Sequence, residues 1–221
     1  MRKIIAGTFM SIDGVMQAPG GPEEDPTGGF AYGGWSVNYW DEAMMADIGK
    51  SMADPFDLLL GRKTYDIFAA HWPYVEDDNP VATKFNAITK YVATSSTEPL
   101  TWQNSVAIRG NVAAEIAGLK QTDGADLLIQ GSSQLLQALL ANDLIDEFTL
   151  RVFPLVLGTG KRLFGKGTMP AALKLVDTKA SGTGVITSTY HRAGEIKAGT
   201  FELVGTTEAE LARRERMKRE G

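Results

Sequence analysis

A chain of 221 residues with a hydrophobic fraction of 43% fits one domain with a sizeable core. The absence of cysteine excludes disulfides, Cys-ligated zinc and thiol nucleophiles, and is compatible with a cytoplasmic protein. A formal net charge of -5 and two histidines leave no electrostatic footprint for nucleic acid. No apolar run spans a bilayer, and the one after Met1-Arg2-Lys3 is too short for a signal segment.

Lys3 to Phe9 reads as a first strand, ending at Ser11-Ile12-Asp13-Gly14. Asp13 is either a turn-former or a carboxylate at the carboxyl end of a sheet strand, where α/β ligand sites lie. Residues 17 to 36 are rich in Gly and Pro and carry Glu23-Glu24-Asp25. Phe30, Tyr32 and Trp35 argue against disorder there. The segment reads as a loop folded over the body, covering an active site or a subunit interface. Tyr39 to Met52 is helical, with Trp40, Met44, Ile48 and Met52 on one face. Met44, Ile48 and Met52 read as core. Trp40 and Asp41, with Trp35 before them, are candidates for a substrate pocket.

Asp57-Leu58-Leu59-Leu60-Gly61-Arg62-Lys63-Thr64 reads as a buried strand, a glycine turn, two cations and a helix start. Amides at such a helix N-terminus, with Arg62 and Lys63 beside them, favour an anion. Alone, the motif is equally an ordinary strand-to-helix turn. His71 closes this helix. Val81 to Ile88 is a short helix, and Lys90 to Thr94 a strand running into Ser95-Ser96-Thr97. Ser105 to Ile108 is another strand. Arg109-Gly110 follows it, and Asn111 is placed to cap the helix Val112 to Lys120. Asp126 to Gln130, Gly131 and Ser132-Ser133-Gln134 repeat the strand, glycine, helix design. Two such junctions at one sheet edge suit a pyrophosphate.

Phe148 to Phe153, Leu173 to Thr178, Val185 to His191 and Phe201 to Val204 read as later strands, joined by turns and therefore antiparallel. Glu208 to Glu220 is a charged helix with little apolar face. The fold class expected is α/β, with a mostly parallel central sheet flanked by helices and antiparallel strands at the C-terminal end. Residues 1–206 form the domain and 207–221 a charged helix or tail. No G-x-G-x-x-G fingerprint is present, so a Rossmann dehydrogenase is not expected.

Leu59 to Tyr65 and Ile129 to Leu135 resemble the two glycine-containing cofactor segments of dihydrofolate reductases. Ser11 to Gly14 and Pro154 to Gly160 are closer to the reductase domain of the bifunctional riboflavin-biosynthesis deaminase/reductase. Gln17 to Trp35 resembles its stand-alone bacterial branch. The resemblance implies an NADPH-dependent reductase of dihydrofolate reductase-like fold, often a homodimer, acting on a carbonyl or imine of a small pyrimidine- or pterin-like molecule. It implies that Gly61, Arg62, Lys63, Thr64, Gly131, Ser132, Ser133 and Gln134 hold the pyrophosphate. Thr94 and Ser95, with Arg62 or Lys63, would lie near the adenosine 2′-phosphate, and Arg109 would flank the adenine. Asp13 or Asp41 would deliver a proton, Trp35 and Trp40 would contact the substrate, and no metal is expected. Folate reduction is disfavoured, because the carboxylate nearest in position, Asp41, is misplaced in spacing. A nucleotide-binding module or structural dimer without catalysis remains the other class.

Overall fold

The computed structural model describes residues 1–221 except 77, 166, 167, 202–204 and 221. Strands β1 (Ile4–Ser11), β2 (Phe56–Gly61), β3 (Lys90–Ala93), β4 (Ser105–Ile108), β5 (Asp126–Gln130), β6 (Glu147–Phe153), β7 (Leu173–Ala180) and β8 (Ile186–Arg192) form one sheet. Its order is β4-β3-β2-β5-β1-β6-β8-β7. The strands from β4 to β6 run parallel, and β8 and β7 are joined antiparallel at the end. The aliphatic triplets Leu58-Leu59-Leu60 and Leu127-Leu128-Ile129 sit centrally, covered on both faces, as continuous apolar runs require.

The helices are α1 (Glu42–Ala53), α2 (Arg62–Ala69), α3 (Pro80–Ala87), α4 (Val112–Lys120), α5 (Ser133–Ala141) and α6 (Glu208–Glu220). On one face, Ile116 of α4 and Leu135, Leu136 and Leu139 of α5 pack on Ile4, Ala6 and Ile129. On the other, Tyr65 of α2 and Phe85 of α3 pack on Leu58, Leu60 and Val92. A third cluster joins Val15, Phe30, Trp35 and Met44 around Phe153 at the carboxyl end of β6.

Helix α1 is tied down by a buried charge. Arg151 of β6 is 4% exposed and donates to Asp47 Oδ2 at 3.0 Å, with its guanidinium 5.8 Å from the Phe9 ring centre. Strand β7 is exposed along its whole length. Phe201 lies exposed outside any strand, and the rest of the strand expected from Phe201 to Val204 falls outside the described residues. Among the described residues no helix is long and apolar enough to cross a membrane. None of their His, Cys, Asp and Glu side chains form a group able to hold a metal ion.

Candidate functional site

The carboxyl ends of β1, β2, β3 and β5 open into a cleft of about 1650 Å³. A drug-sized ligand needs only about 300–1,000 Å³, so a second molecule has room beside it. The two glycine junctions form its floor. Gly61 donates its amide to Ser132 Oγ at 2.9 Å, and Ser132 donates its amide to Thr64 Oγ1 at 3.0 Å. Gly131 and Ser132 both have positive φ, 61° and 58°. A Cβ on Gly131 would lie 3.4 Å from the Thr64 side chain, so glycine suits both the backbone and the close approach. The Thr64 hydroxyl therefore faces the Ser132 amide, and the Ser132 hydroxyl faces the Gly61 amide. What the junctions leave for a ligand is their helix amides.

Those amides differ from those of the neighbouring helices. Asp41 caps α1, Asn79 caps α3 and Asn111 caps α4 through side-chain oxygens. Helices α2 and α5 start at Gly61 and Ser132 with no side-chain cap. Two uncapped N-termini, each with its dipole aimed at the cleft, are ready for anionic groups. Arg62, Lys63, Thr94, Ser95, Ser96, Ser133 and Gln134 also line the cleft. Arg62 is already paired with Asp66 at 2.7 Å and Glu98 at 3.2 Å, whereas exposed Lys63 makes no ion pair among the described residues. Beside β5, Thr8 is 1% exposed and its Oγ1 has no hydrogen-bond partner among the described residues. A buried hydroxyl without a partner is costly, and a ligand atom would relieve it.

The structure separates the remaining candidates. Asp13 does not line the cleft. Its carboxylate accepts from Ser11 Oγ, the Leu157 and Gly158 amides and Arg162, which clamps loop 154–160 to the end of β1. The Ser11 hydroxyl, those amides and Arg162 hold its pKa far below the usual carboxylate range against the opposing effect of burial. Asp41 accepts from the Met44 amide at 2.8 Å and the Thr183 amide at 3.2 Å, and these depress its pKa too. Neither lines the cleft, and both are held as anions by these partners. Trp35 lies outside the cleft lining: it is 8% exposed, donates its indole N–H to the Gln17 carbonyl at 2.7 Å and meets Phe153 edge-on. Arg109 lies outside the cleft lining, with its guanidinium on the Ser96 carbonyl. Trp40 does line the cleft, edge-on to Phe9 at 5.8 Å.

Loop 17–36 forms one wall of the cleft, from Gln17 to Asp25. The sequence reading missed Glu24 in this wall and missed the part of the lining that α1 supplies. Glu24 Oε2 accepts the amides of Gly20 at 2.6 Å and Gly21 at 3.2 Å. Burial nonetheless raises its pKa. The paired glycines just before an acid were the available signal, since two successive free amides form an anion-binding nest. On α1, Ile48 and Met52 pack against core clusters as expected but also line the cleft together with Met45, while Met44 is buried.

The sequence profile of the RibD C-terminal domain matches residues 2–187. The uncharacterized protein YyaP of Bacillus subtilis is 28% identical over 198 residues, covering 87% of this chain and 96% of YyaP. Dihydrofolate reductase from Enterococcus faecalis, solved with NADP(H) and RAB-propyl, aligns with TM-score 0.54 at 17% identity, over 86% of this chain and 96% of the enzyme. A pyrimidine reductase-like protein from Corynebacterium diphtheriae aligns with TM-score 0.55 at 14% identity, over 88% of this chain and 93% of that one. The architecture is thus dihydrofolate reductase-like, and the chain belongs to the RibD C-terminal domain family.

Proposed function

We propose that the protein is an NADPH-dependent reductase of a carbonyl or imine on a small ring compound. The observation that carries this is the pair of uncapped N-termini, α2 and α5, locked side by side beneath a cleft of about 1650 Å³. The family and the fold support the same reading. The residues fit a dinucleotide. First-turn amides of α2 and α5 take the pyrophosphate. Lys63 and the Thr94, Ser95 and Ser96 hydroxyls surround the position of a ribose 2′-phosphate.

A reduced nicotinamide supplies the hydride when bound. The chain supplies position and surroundings. Phe9 and Trp40 form an aromatic wall against which a planar ring lies. Thr8 Oγ1 offers a buried hydrogen bond. Loop 17–36 shields the reacting edge from bulk water, which strengthens each polar contact inside. With Asp13 and Asp41 held ionised outside the cleft, the proton comes from water at the cleft mouth.

Titration of the purified protein with NADPH and with NADH, followed by nicotinamide fluorescence, tests this. NADPH binds in the micromolar range and more tightly than NADH. Lys63→Ala weakens NADPH about fivefold to tenfold and leaves NADH unchanged. Failure to bind NADPH at millimolar concentration sinks the reading.

A further inference from the structure

Part of the cleft lining has a different chemistry from the glycine junctions. Its α1 wall is Met45, Ile48 and Met52, and its α2 wall is Ile67 and Phe68. Asp47, the nearest acid on α1, points away to Arg151 and Lys179. The cations reaching this part are few and occupied. Lys161 is bound to Asp25 and to Thr27 Oγ1 at 3.1 Å, and Arg62 to Asp66 and Glu98. His71, exposed, is also in the lining, its ring 4.9 Å from that of Trp72. Glu23, Glu24 and Asp25 line the loop wall. With Lys63 and the uncapped N-termini assigned to the cofactor, no other Lys or Arg of the lining is unpaired among the described residues, so a phosphate here would meet apolar side chains and carboxylates.

Glu24 on that wall is held in place yet keeps an acceptor unused. Both amides that hold Glu24 go to Oε2, and Oε1 has no hydrogen-bond partner among the described residues. A carboxylate has about four acceptor positions, so Oε1 can take a donor from a ligand.

We infer that the second molecule in the cleft is an unphosphorylated, largely apolar ring compound bearing an N–H donor, packed on Met45, Ile48 and Phe9 and anchored by its N–H on Glu24 Oε1. This rests on the reductase reading for what happens to the ligand, but not for its binding. The acidic, apolar wall excludes phosphorylated ribosylaminopyrimidines. The rise in the Glu24 pKa on burial agrees with an acceptor set in a drying site.

The test uses isatin, a neutral bicyclic ketone with one N–H, and N-methylisatin, which lacks that donor. Binding is read by tryptophan fluorescence, because Trp40 lines the cleft, with and without saturating NADPH. In Glu24→Gln the Gly20 and Gly21 amides keep the carbonyl oxygen, so the NH₂ group replaces Oε1. Isatin should bind the wild type and lose about tenfold in Glu24→Gln, with N-methylisatin unaffected by the change. Equal losses for both compounds overturn the anchor, and absence of isatin binding overturns the ligand class. A second pair, 5-amino-6-ribosylaminouracil with and without its 5′-phosphate, isolates the phosphate. The phosphorylated form should bind no tighter. Binding ten times tighter than its dephosphorylated partner overturns the inference. Isatin binding without NADPH binding would remove the reductase reading and leave this one standing.

Discussion

Thr64 and Ser132 lie 68 positions apart in the chain, yet the amide of Ser132 donates to the Thr64 hydroxyl at 3.0 Å. With the return bond from Gly61 to Ser132 Oγ, it fixes the spacing of two helix N-termini. Thr64→Val keeps the volume and removes the acceptor, leaving a part-buried amide unpaired. The expected cost is about 1–2 kcal/mol of stability. If the spacing positions the pyrophosphate amides, NADPH affinity also falls about tenfold. Urea unfolding and cofactor titration measure the two effects, and an unchanged affinity would separate the lock from the site.

Asp13 acts on stability rather than on turnover. Its folded pKa is depressed, so its contribution is complete above the unfolded carboxylate value near pH 4 and is lost as pH falls through the folded value. Asp13→Asn should lower Tm by several degrees at pH 7, and the gap to wild type should close below pH 4. Reduction rates at pH 7 should change less than twofold. A tenfold loss of rate in the folded variant would return Asp13 to the chemistry.

Lys90 is fully buried, with Nζ on the carbonyls of Asn86 and Ile88 and 4.4 Å from the Trp102 ring centre. Burial without a carboxylate pushes its pKa down to about 8. Between pH 8 and 10.5 the unfolded chain binds more protons at this residue than the folded one, so its effect on stability becomes more favourable as pH rises. Compared with Lys90→Met, wild type should gain about 1–2 kcal/mol between pH 8 and 9.5. Chemical denaturation at the two pH values checks this, and parallel curves would falsify it.

Gly33 permits the fold of the cleft wall. A Cβ there would lie 2.5 Å from the Gly21 carbonyl oxygen and 2.6 Å from that of Pro22, both backbone atoms. Gly33→Ala should displace residues 20–24 and cost about 1–3 kcal/mol of stability, as overpacking does. The amides of Gly20 and Gly21 should then exchange hydrogen faster, while those of β2 and β5 stay protected.

The parts legible in the sequence were those with local causes. Leu58-Leu59-Leu60-Gly61 and Leu127 to Gly131 announce buried strands and tight turns by composition alone, and both junctions line the cleft. Asn111 was readable as a cap for the same reason. The roles of the acids depended on distant partners. Asp13 is held by Leu157 and Gly158, and Asp41 by Thr183, more than 140 positions on in each case. No local pattern distinguishes such an anion from a proton donor. Period placed Met44 and Ile48 of α1 together, and both join the cluster around Phe153, but Ile48 sits at the cleft edge and lines the cleft as well, which spacing alone does not announce.

The bracing of loop 17–36 has a further consequence. Trp35 donates to the Gln17 carbonyl, the Ser36 hydroxyl to that of Pro19 and the Gly34 amide to that of Ala18. A wall already standing before a guest arrives loses little conformational entropy when the guest is seated. Recognition here is a matter of shape held in advance. New ligand preferences would then arise from changes in the length and glycine positions of this one segment, with the sheet beneath left as it is.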